Sequence, residues 1–352
     1  MDKVINLQIP HVGEKIFEHI ETDDLIKWLK VSNNWRILAE NVLLKRWKGK
    51  MMEACRDGKF EIVKLLLERT DTQLDTRDEH GRTSLMWACR NGHKDTVQLL
   101  LNCSDKKIEL NIRDILGQTA FMFACYNGHK DVVQSFLNCS DRNSELNARS
   151  NDGFTAFMLA CFNGSKDVVQ LLLNCSDKDI ENTRDNMGRT SLMWACRNGH
   201  KDTVQLLLNC SDKKIELNIR DDLGQTAFMF ACFNGNKDVV QLLLNCSDKD
   251  FENTRDNMGW TAFMWACFYG HKDIVEFLLN CSDRNTQLET RTNNGHTALS
   301  LARFKRHSDV VKLLLANDNL ADPEALEEAQ DLSVIFEEET IQQELRNKNG
   351  TF

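Results

Sequence analysis

The amino-acid sequence predicts an all-α protein in which short helical repeats stack into an α-solenoid. A block of 35 or 36 residues occurs in seven copies along the chain. Apolar residues inside each block recur at three- and four-residue spacing, which places them on one helical face. Since one block is too small to bury that face alone, its stability has to come from stacking on both neighbours. Each copy opens on a glycine, in the series Gly81, Gly117, Gly153, Gly188, Gly224, Gly259 and Gly295.

Residues 1–49 are not repeat-like and predict a small helical module. Pro10 suits the first position of a helix, and Asp23 with Asp24 suits the start of a second one, because acidic groups favour the helix dipole. Trp28, Trp35 and Trp47 bring more apolar area than a module of this size can hide, so we expect an exposed patch that awaits a partner. The other apolar positions expected on the two helices are Val12, Ile16, Phe17, Ile20, Leu25 and Leu29.

This module resembles the F-box, whose pattern of a Pro turn, an isoleucine-rich helix, Asp-Leu, Val-Ser and two later tryptophans is filled in order. The residues that fill it are Ile9-Pro10, Ile16-Phe17, Asp24-Leu25, Val31-Ser32, Trp35 and Trp47. The resemblance implies docking on the Skp-type adaptor of a cullin-RING ubiquitin ligase. The adaptor-binding residues that it implies are Ile9, Pro10, Ile16, Phe17, Leu25, Val31 and Trp35.

Two features of the module leave a second interpretation open. Ile9 stands where the F-box has Leu, and Gly13 weakens the first helical turn by something under ~1 kcal/mol. The alternative is a helical cap that covers the first repeat, with Trp35 and Trp47 as its contacts.

The repeats predict pairs of helices. Residues 51–67 align with the later blocks but lack an opening turn, so they read as a degenerate first repeat. In the next block Thr83 predicts an N-cap, and Asn91 with Gly92 predicts a helix stop. A second helix follows from about Lys94, with Val97, Leu100 and Leu101 on its apolar face.

Residues 50–317 resemble the ankyrin repeat, whose signature is Gly-x-Thr-Pro-Leu-His-x-Ala at a period of ~33 residues. The usual Pro is replaced by Ser or Ala, which removes a preset dihedral. The usual His of the signature is replaced in six blocks by Met, which packs adaptably but makes no directed hydrogen bond. The connections between blocks are longer than in the family, so we expect looser loops there. The resemblance implies that the turn tips and the ends of the first helices line a concave face that binds a target protein.

Two columns that vary between copies are the candidate target contacts, because aromatic and Arg side chains dominate interface hot spots. One column follows each glycine and the other follows the cysteine of each first helix. The target-binding residues predicted from both columns, together with Tyr269 beside Phe268, are Arg82, Arg90, Tyr126, Phe154, Phe162, Arg189, Arg197, Phe233, Trp260, Phe268 and Tyr269. Contacts within the array are the alternative for these columns. A third aromatic column is better explained by core packing, and consists of Trp87, Phe123, Trp194, Phe230 and Trp265.

Composition excludes several function classes. A net charge of −9 leaves no basic face for nucleic acid. No apolar run reaches the ~18 residues of a membrane span, and no secretion signal is evident, so we expect an intracellular protein in host cytoplasm or nucleus. The 13 cysteines follow the repeat without any Cys-x-x-Cys pair, which favours small buried residues over a metal or redox site. We predict no cofactor, no metal and no catalysis.

The histidines His93, His129, His200 and His271 recur at the turn between paired helices, where we expect them to stabilise the turn as hydrogen-bond donors. Residues 318–352 change to an acidic stretch and predict a C-terminal capping helix, with Asp322 as cap and Pro323 as first helical residue.

Together these features predict a substrate-recognition subunit of a cullin-RING ligase. The N-terminal module would hold the adaptor and the repeats would hold the target. Residues 82–114 and 189–221 are identical, and such copying together with an F-box-like module is typical of large DNA viruses or intracellular bacteria that act on a host. The alternative is a non-enzymatic scaffold or decoy that sequesters a host protein.

Overall fold

The computed structural model describes residues 10–31, 33–69, 71, 73–103, 108–139, 142–175, 180–209, 215–245, 252–281 and 283–317. These residues form helices joined by turns and loops, and no strand occurs among them. The chain divides into two compact units, Met1–Ala156 and Phe157–Phe352, each of which is described by itself. The predicted boundaries at 49/50 and 317/318 stay predictions. Ile9 and the predicted capping helix of residues 318–352 lie outside the described residues.

The first unit begins with three helices that precede the repeats, and helix pairs follow. Its helices are α1 (Pro10–Glu18), α2 (Thr22–Trp28), α3 (Asn33–Arg46), α4 (Met51–Arg56), α5 (Phe60–Arg69), α6 (Ser84–Arg90), α7 (Lys94–Leu101), α8 (Ala120–Tyr126), α9 (Lys130–Leu137) and α10 (Arg142–Asn147).

The second unit contains the later helix pairs. Its helices are α11 (Ala156–Phe162), α12 (Lys166–Cys175), α13 (Ser191–Arg197), α14 (Lys201–Leu208), α15 (Ala227–Phe233), α16 (Lys237–Leu244), α17 (Ala262–Phe268), α18 (Lys272–Cys281), α19 (Arg284–Glu289), α20 (Ala298–Phe304) and α21 (Ser308–Asn317). Stacked helix pairs in each unit confirm the predicted fold class.

Local sequence explains where the helices begin and end. Thr83 is the N-cap of α6, with its Oγ1 accepting the Met86 N–H at 3.4 Å. Asn91 ends that helix and Gly92 follows with φ of 74°. A Cβ on Gly92 would also come within 2.5 Å of the His129 ring of the next repeat, so two constraints require glycine there. The predicted cap and stop are confirmed.

The cores of both units lie between neighbouring helix pairs. Val97 and Leu100 are buried on α7, whereas Leu101 is half-buried. Four members of the third aromatic column are buried, and Trp87 is half-buried. Core packing of that column is therefore confirmed. Short helices occupy two connections where looser loops were expected, at α10 and α19.

The three N-terminal helices close around an aromatic cluster. Phe17 lies 5.8 Å from Trp28 and 5.6 Å from Trp35 between ring centres, and the two tryptophans are 5.5 Å apart. Leu25 on α2 is also buried. The Arg46 guanidinium donates to the Glu18 and Ile20 carbonyls at 3.1 and 3.0 Å, which holds the end of α1 against α3.

This N-terminal module is joined to the degenerate repeat by packing and by two ion pairs. Helix α3 lies against α5. Lys59 Nζ lies 2.6 Å from the Asp23 carboxylate, and Arg69 Nη2 lies 3.3 Å from that of Glu40. The module therefore covers the first repeat, as the cap interpretation expects, whatever else it binds.

Candidate protein-binding surfaces

The turns that open the repeats share one internal geometry. In the first of them Asp78 Oδ1 accepts the His80 N–H at 2.9 Å and the Arg82 N–H at 2.8 Å. The same contacts recur at Asp114, Asp185, Asp221 and Asp256. An Asp three residues before the glycine thus closes the turn, a role that the sequence analysis missed although the residue recurs at a fixed offset.

Successive turns are also hydrogen-bonded to each other in one direction. In the first unit the Ile115 N–H donates to the His80 carbonyl at 3.0 Å, and the Asn151 N–H donates to the Leu116 carbonyl at 3.0 Å. The second unit repeats the contact from Asp222 to Met187, from Asn257 to Leu223 and from Asn293 to Met258. We call this series the turn ladder.

An arginine beside each turn Asp adds a second link to the turn ladder. Arg77 donates to the Arg113 carbonyl at 3.2 Å, and Arg184 donates to the Arg220 carbonyl at 2.7 Å. Arg113, Arg220 and Arg255 do the same toward the next turn. These arginines link neighbouring repeats within each unit, and the recurrent Arg-Asp pair in the sequence was the signal that could have identified them.

The column after each glycine does not form the predicted binding surface throughout. Arg189 is buried, with its guanidinium 5.1 Å from the Trp194 ring and 5.7 Å from the Phe230 ring. Trp260 is also buried, 4.4 Å from Trp265 between ring centres. Arg82 and Phe154 remain half-buried. The expectation that Arg189 and Trp260 are exposed to a target is wrong, because both side chains fold onto aromatic rings within the array.

The partner of each turn Asp depends on which aromatic residue the first helix carries. Where the first helix carries Trp, the indole N–H donates to the turn Asp, as from Trp87 to Asp78 at 3.0 Å. Where it carries Phe, an Arg of the preceding repeat approaches that Asp instead, as Arg189 does at 3.6 Å from Asp221. Burial raises the pKa of Asp221 despite this neighbour and the backbone hydrogen bonds.

The column at the ends of the first helices stays accessible in the second unit, apart from Phe268. Phe162, Arg197 and Phe233 are half-buried, and Tyr269 is exposed. The Phe233 ring lies 4.3 Å from Tyr269, and Arg197 lies 5.3 Å from the Trp194 ring. Phe268 is buried and contacts Trp260 at 5.1 Å, so the expected exposure of Phe268 is wrong. We call the accessible series Phe162, Arg197, Phe233 and Tyr269 the aromatic row.

The first unit presents a sparser version of the same surface. Tyr126 is exposed and Arg90 is half-buried, with its guanidinium 5.5 Å from the Trp87 ring. The tip of the second turn adds Ile115 and Leu116, which are 59% and 51% exposed. The sequence analysis missed this apolar tip, whose signal was an Ile where the other copies carry Asn, Asp or Glu.

The predicted adaptor residues separate into a buried and an exposed set. Phe17, Leu25 and Trp35 are buried in the core of the N-terminal module. The expectation that these three side chains contact the adaptor directly is therefore wrong for the folded module. Ile16 and Val31 are 43% and 48% exposed, and Ile37, which was not predicted, is 52% exposed. Pro10 begins α1, and its side chain lies outside the described set.

The recurrent histidines tie neighbouring repeats together. His93 Nε2 lies 2.8 Å from the Arg56 carbonyl, and His200 Nε2 lies 2.9 Å from the Phe162 carbonyl. His129 and His271 make the same contact. Since a carbonyl oxygen only accepts, each of these Nε2 atoms carries the proton. The predicted donor role is confirmed, and the acceptor lies on the preceding repeat.

The described thiols and acids do not assemble a reactive centre. The first-helix thiols are buried, and burial raises the pKa of Cys55 to about 12, which keeps its thiol protonated. No group of three His, Cys, Asp or Glu side chains within the described ranges could hold a metal ion. Among the same residues, no helix has the length and apolar character needed to cross a membrane.

Comparison with known families identifies a repeat family. A family model described as "Ankyrin repeats (3 copies)" matches residues 20–114, 51–149, 121–221, 175–255, 211–290 and 248–326. The first of these ranges begins within the N-terminal module. No curated protein matches the chain.

Proposed function

The chain belongs to the ankyrin-repeat family, whose members bind other proteins, and from that premise we propose that it recruits a target protein to a Skp-type, cullin-RING ubiquitin ligase. Ankyrin repeats are typically interaction modules without catalysis. The N-terminal module would dock on the adaptor, and the repeats would hold the target. The ligase partners would supply the ubiquitin chemistry.

The observation that carries the adaptor proposal is the exposed apolar set on the N-terminal module. Ile16 on α1, Val31 after α2 and Ile37 on α3 are each at least 43% exposed, within a module whose core is already filled by Phe17, Trp28 and Trp35. Apolar side chains that the module has no need to bury are typical of an interface. Phe17, Leu25 and Trp35 would support this surface from beneath.

For the target, the aromatic row of the second unit is the best-supported surface. It combines Arg197, Phe233 and Tyr269, residue types that dominate interface hot spots. The Tyr269 phenol is neutral at physiological pH, so its O–H can donate a hydrogen bond to a target, and partial burial raises its pKa further. Arg90 and Tyr126 in the first unit would extend recognition to a second patch.

The alternative is a scaffold or decoy that sequesters a host protein without a ligase. The observation that favours it is the packing of α3 on α5, together with the Lys59–Asp23 pair at 2.6 Å. A module that caps the first repeat in this way has a structural role even without an adaptor.

Direct binding to a purified Skp-type adaptor separates the two. Wild-type chain should bind, and Ile16→Glu with Val31→Glu should abolish binding without changing the unfolding transition. A matched control is Ile115→Glu with Leu116→Glu, an equally exposed apolar pair on the second turn. If the wild type does not bind the adaptor, the ligase role is wrong and sequestration remains.

The aromatic row is tested by a photo-crosslinking amino acid at Tyr269 and, as a control, at Lys272, an exposed residue at the start of α18 in the same repeat. The target should be crosslinked from position 269 only. Equal crosslinking from both positions would contradict a specific surface.

A further inference from the structure

The turn ladder has an open end in the first unit. Within each unit, every described turn that follows another turn of that unit donates its tip N–H backward, as Ile115 does to the His80 carbonyl at 3.0 Å. The corresponding N–H in the first turn belongs to Glu79, and the degenerate repeat before it has no turn to receive it. Among the described residues no hydrogen bond reaches the Glu79 N–H or the Arg77 carbonyl.

These two groups border a groove at the N-terminal end of the array. The groove has a volume of about 1380 Å³ and lies between the first turn and the segment that joins α3 to α4. It exceeds the ~300–1,000 Å³ typical of small-molecule sites, which favours a peptide as occupant. Trp87 lines the groove and is half-buried there, whereas Trp194 is 7% exposed in its identical repeat.

The charge of the groove differs from that of the whole chain. Six Lys or Arg side chains line it against four Asp or Glu side chains, in a protein of net charge −9. One of the acids, Asp78, already accepts hydrogen bonds from the His80 and Arg82 N–H groups and from the Trp87 indole. Of the bases, Lys45 pairs with Glu18 at 2.7 Å and Arg56 pairs with Asp57 at 3.1 Å. Lys48 and Lys50 are exposed on the opposite wall and carry the positive charge that the groove offers a ligand.

We propose that this groove binds an acidic, extended peptide segment of a partner protein, which pairs with the open edge of the turn ladder. The peptide takes the place of the missing turn: a carbonyl of the peptide accepts the Glu79 N–H and a peptide N–H donates to the Arg77 carbonyl. Acidic side chains face Lys48 and Lys50, and an apolar side chain lies on Trp87 and Met52. This mode is a form of strand addition, in which backbone groups give affinity and side chains give specificity.

The proposal does not depend on the ligase role, since none of these residues belongs to the proposed adaptor surface. It also differs from target binding at the aromatic row, which lies in the second unit.

A proline at the tip tests the backbone contact. Glu79 is the second residue of a four-residue turn closed by the Gly81 N–H and the Asp78 carbonyl at 2.9 Å, and its φ is not positive. Proline is favoured at that position, so Glu79→Pro removes the N–H and keeps the turn. The probe is a fluorescein-labelled short peptide that alternates Glu with Val, measured with the full chain by fluorescence anisotropy.

We expect Glu79→Pro to weaken binding about five- to tenfold relative to the matched Glu79→Ala, which keeps the N–H. Both variants should unfold at the same urea concentration as the wild type. By contrast, Ile115→Pro breaks an existing link of the turn ladder and should lower that concentration.

Charge is tested separately. Lys48→Glu with Lys50→Glu should weaken binding at least about tenfold, whereas Lys94→Glu with Lys130→Glu, an exposed pair of the same unit outside the groove, should leave it unchanged. A matched peptide with Lys in place of Glu should not bind. The proposal is overturned if the acidic peptide binds more weakly than about 1 mM, if the Lys peptide binds as well, or if Glu79→Pro and Glu79→Ala bind alike.

Discussion

Residues 82–114 of the first unit and 189–221 of the second are identical in sequence but differ in burial. Trp194 is 7% exposed, whereas Trp87 is half-buried. The Arg189 side chain is 6% exposed and lies 3.6 Å from Asp221, whereas Arg82 is 17% exposed and lies 3.9 Å from Asp114. Since the residues are the same, the difference comes from their neighbours.

One neighbour that differs is the last residue of the preceding first helix. Phe162 lies 5.3 Å from Trp194 between ring centres, whereas the first copy follows Arg56, whose side chain pairs with Asp57 at 3.1 Å. Burial of a repeat residue is thus set by the adjoining repeat as much as by its own block.

The largest expected effect is the loss of the two tryptophans. Trp194→Ala should destabilise its unit by about 3–5 kcal/mol, the usual cost of truncating a buried aromatic side chain. Trp87→Ala should cost about 2 kcal/mol, because part of that ring already contacts water. Urea unfolding followed by circular dichroism would measure both, and equal losses would contradict the role given to the neighbours.

The residues that precede the two copies, Phe162 and Arg56, can be exchanged for each other to test the comparison directly. Phe162→Arg should cost the second unit about 1–2 kcal/mol, since it removes an aromatic pair with Trp194. Arg56→Phe should stabilise the first unit by about 0.5–1 kcal/mol and reduce exposure of Trp87. Quenching of tryptophan fluorescence by iodide would report that exposure. A gain in quenching for Arg56→Phe would be the opposite of the expected result.

The histidine ties should not distinguish the two copies. His93→Ala and His200→Ala each remove one hydrogen bond to a carbonyl of the preceding repeat, at 2.8 and 2.9 Å, and should cost about 1 kcal/mol each. Unfolding of the two variants in parallel would measure this. A clear inequality would mean that the tie, and not only the aromatic packing, depends on context.

The smallest expected effect is the dependence of stability on pH. It has opposite signs at two turn carboxyls, those of Asp221 and Asp78. Burial raises the pKa of Asp221 above its usual value of 3.8, so the folded state holds that proton more tightly and stability falls as pH rises through this window. Although burial opposes it, hydrogen bonds from Arg82, Trp87 and His80 lower the pKa of Asp78, so its contribution is lost as pH falls through that lowered value.

Stability measured against pH in the variants Asp221→Asn and Asp78→Asn would test these signs. Asp221→Asn should remove the decline above pH 3.8, and Asp78→Asn should flatten the acid limb. An unchanged profile for Asp221→Asn would show that the folded state does not hold this proton.

Much of the architecture was predictable because it depends on local spacing. Thr83 as a cap, Gly92 as a stop and the histidine donors follow from residues close together in the chain. The burial of Arg189, Trp260 and Phe268 could not be predicted in that way, because it depends on rings of the same array that approach only after folding. In the N-terminal module, Phe17 is buried and its neighbour Ile16 is exposed. A small rotation of α1 about its axis decides which of two adjacent residues faces the core, and the sequence does not fix that rotation.

Because all contacts of the turn ladder run in the same direction, the ladder affects how easily a repeat can be duplicated. Each turn that lies between two others of its unit receives a contact on one side and gives one on the other, so these blocks carry the same pair of complementary ends. A duplicated block inserted between two others therefore meets matching ends on both sides, without any substitution. Such a chain can lengthen by whole blocks while each new junction forms at once, which fits two identical 33-residue segments in one sequence.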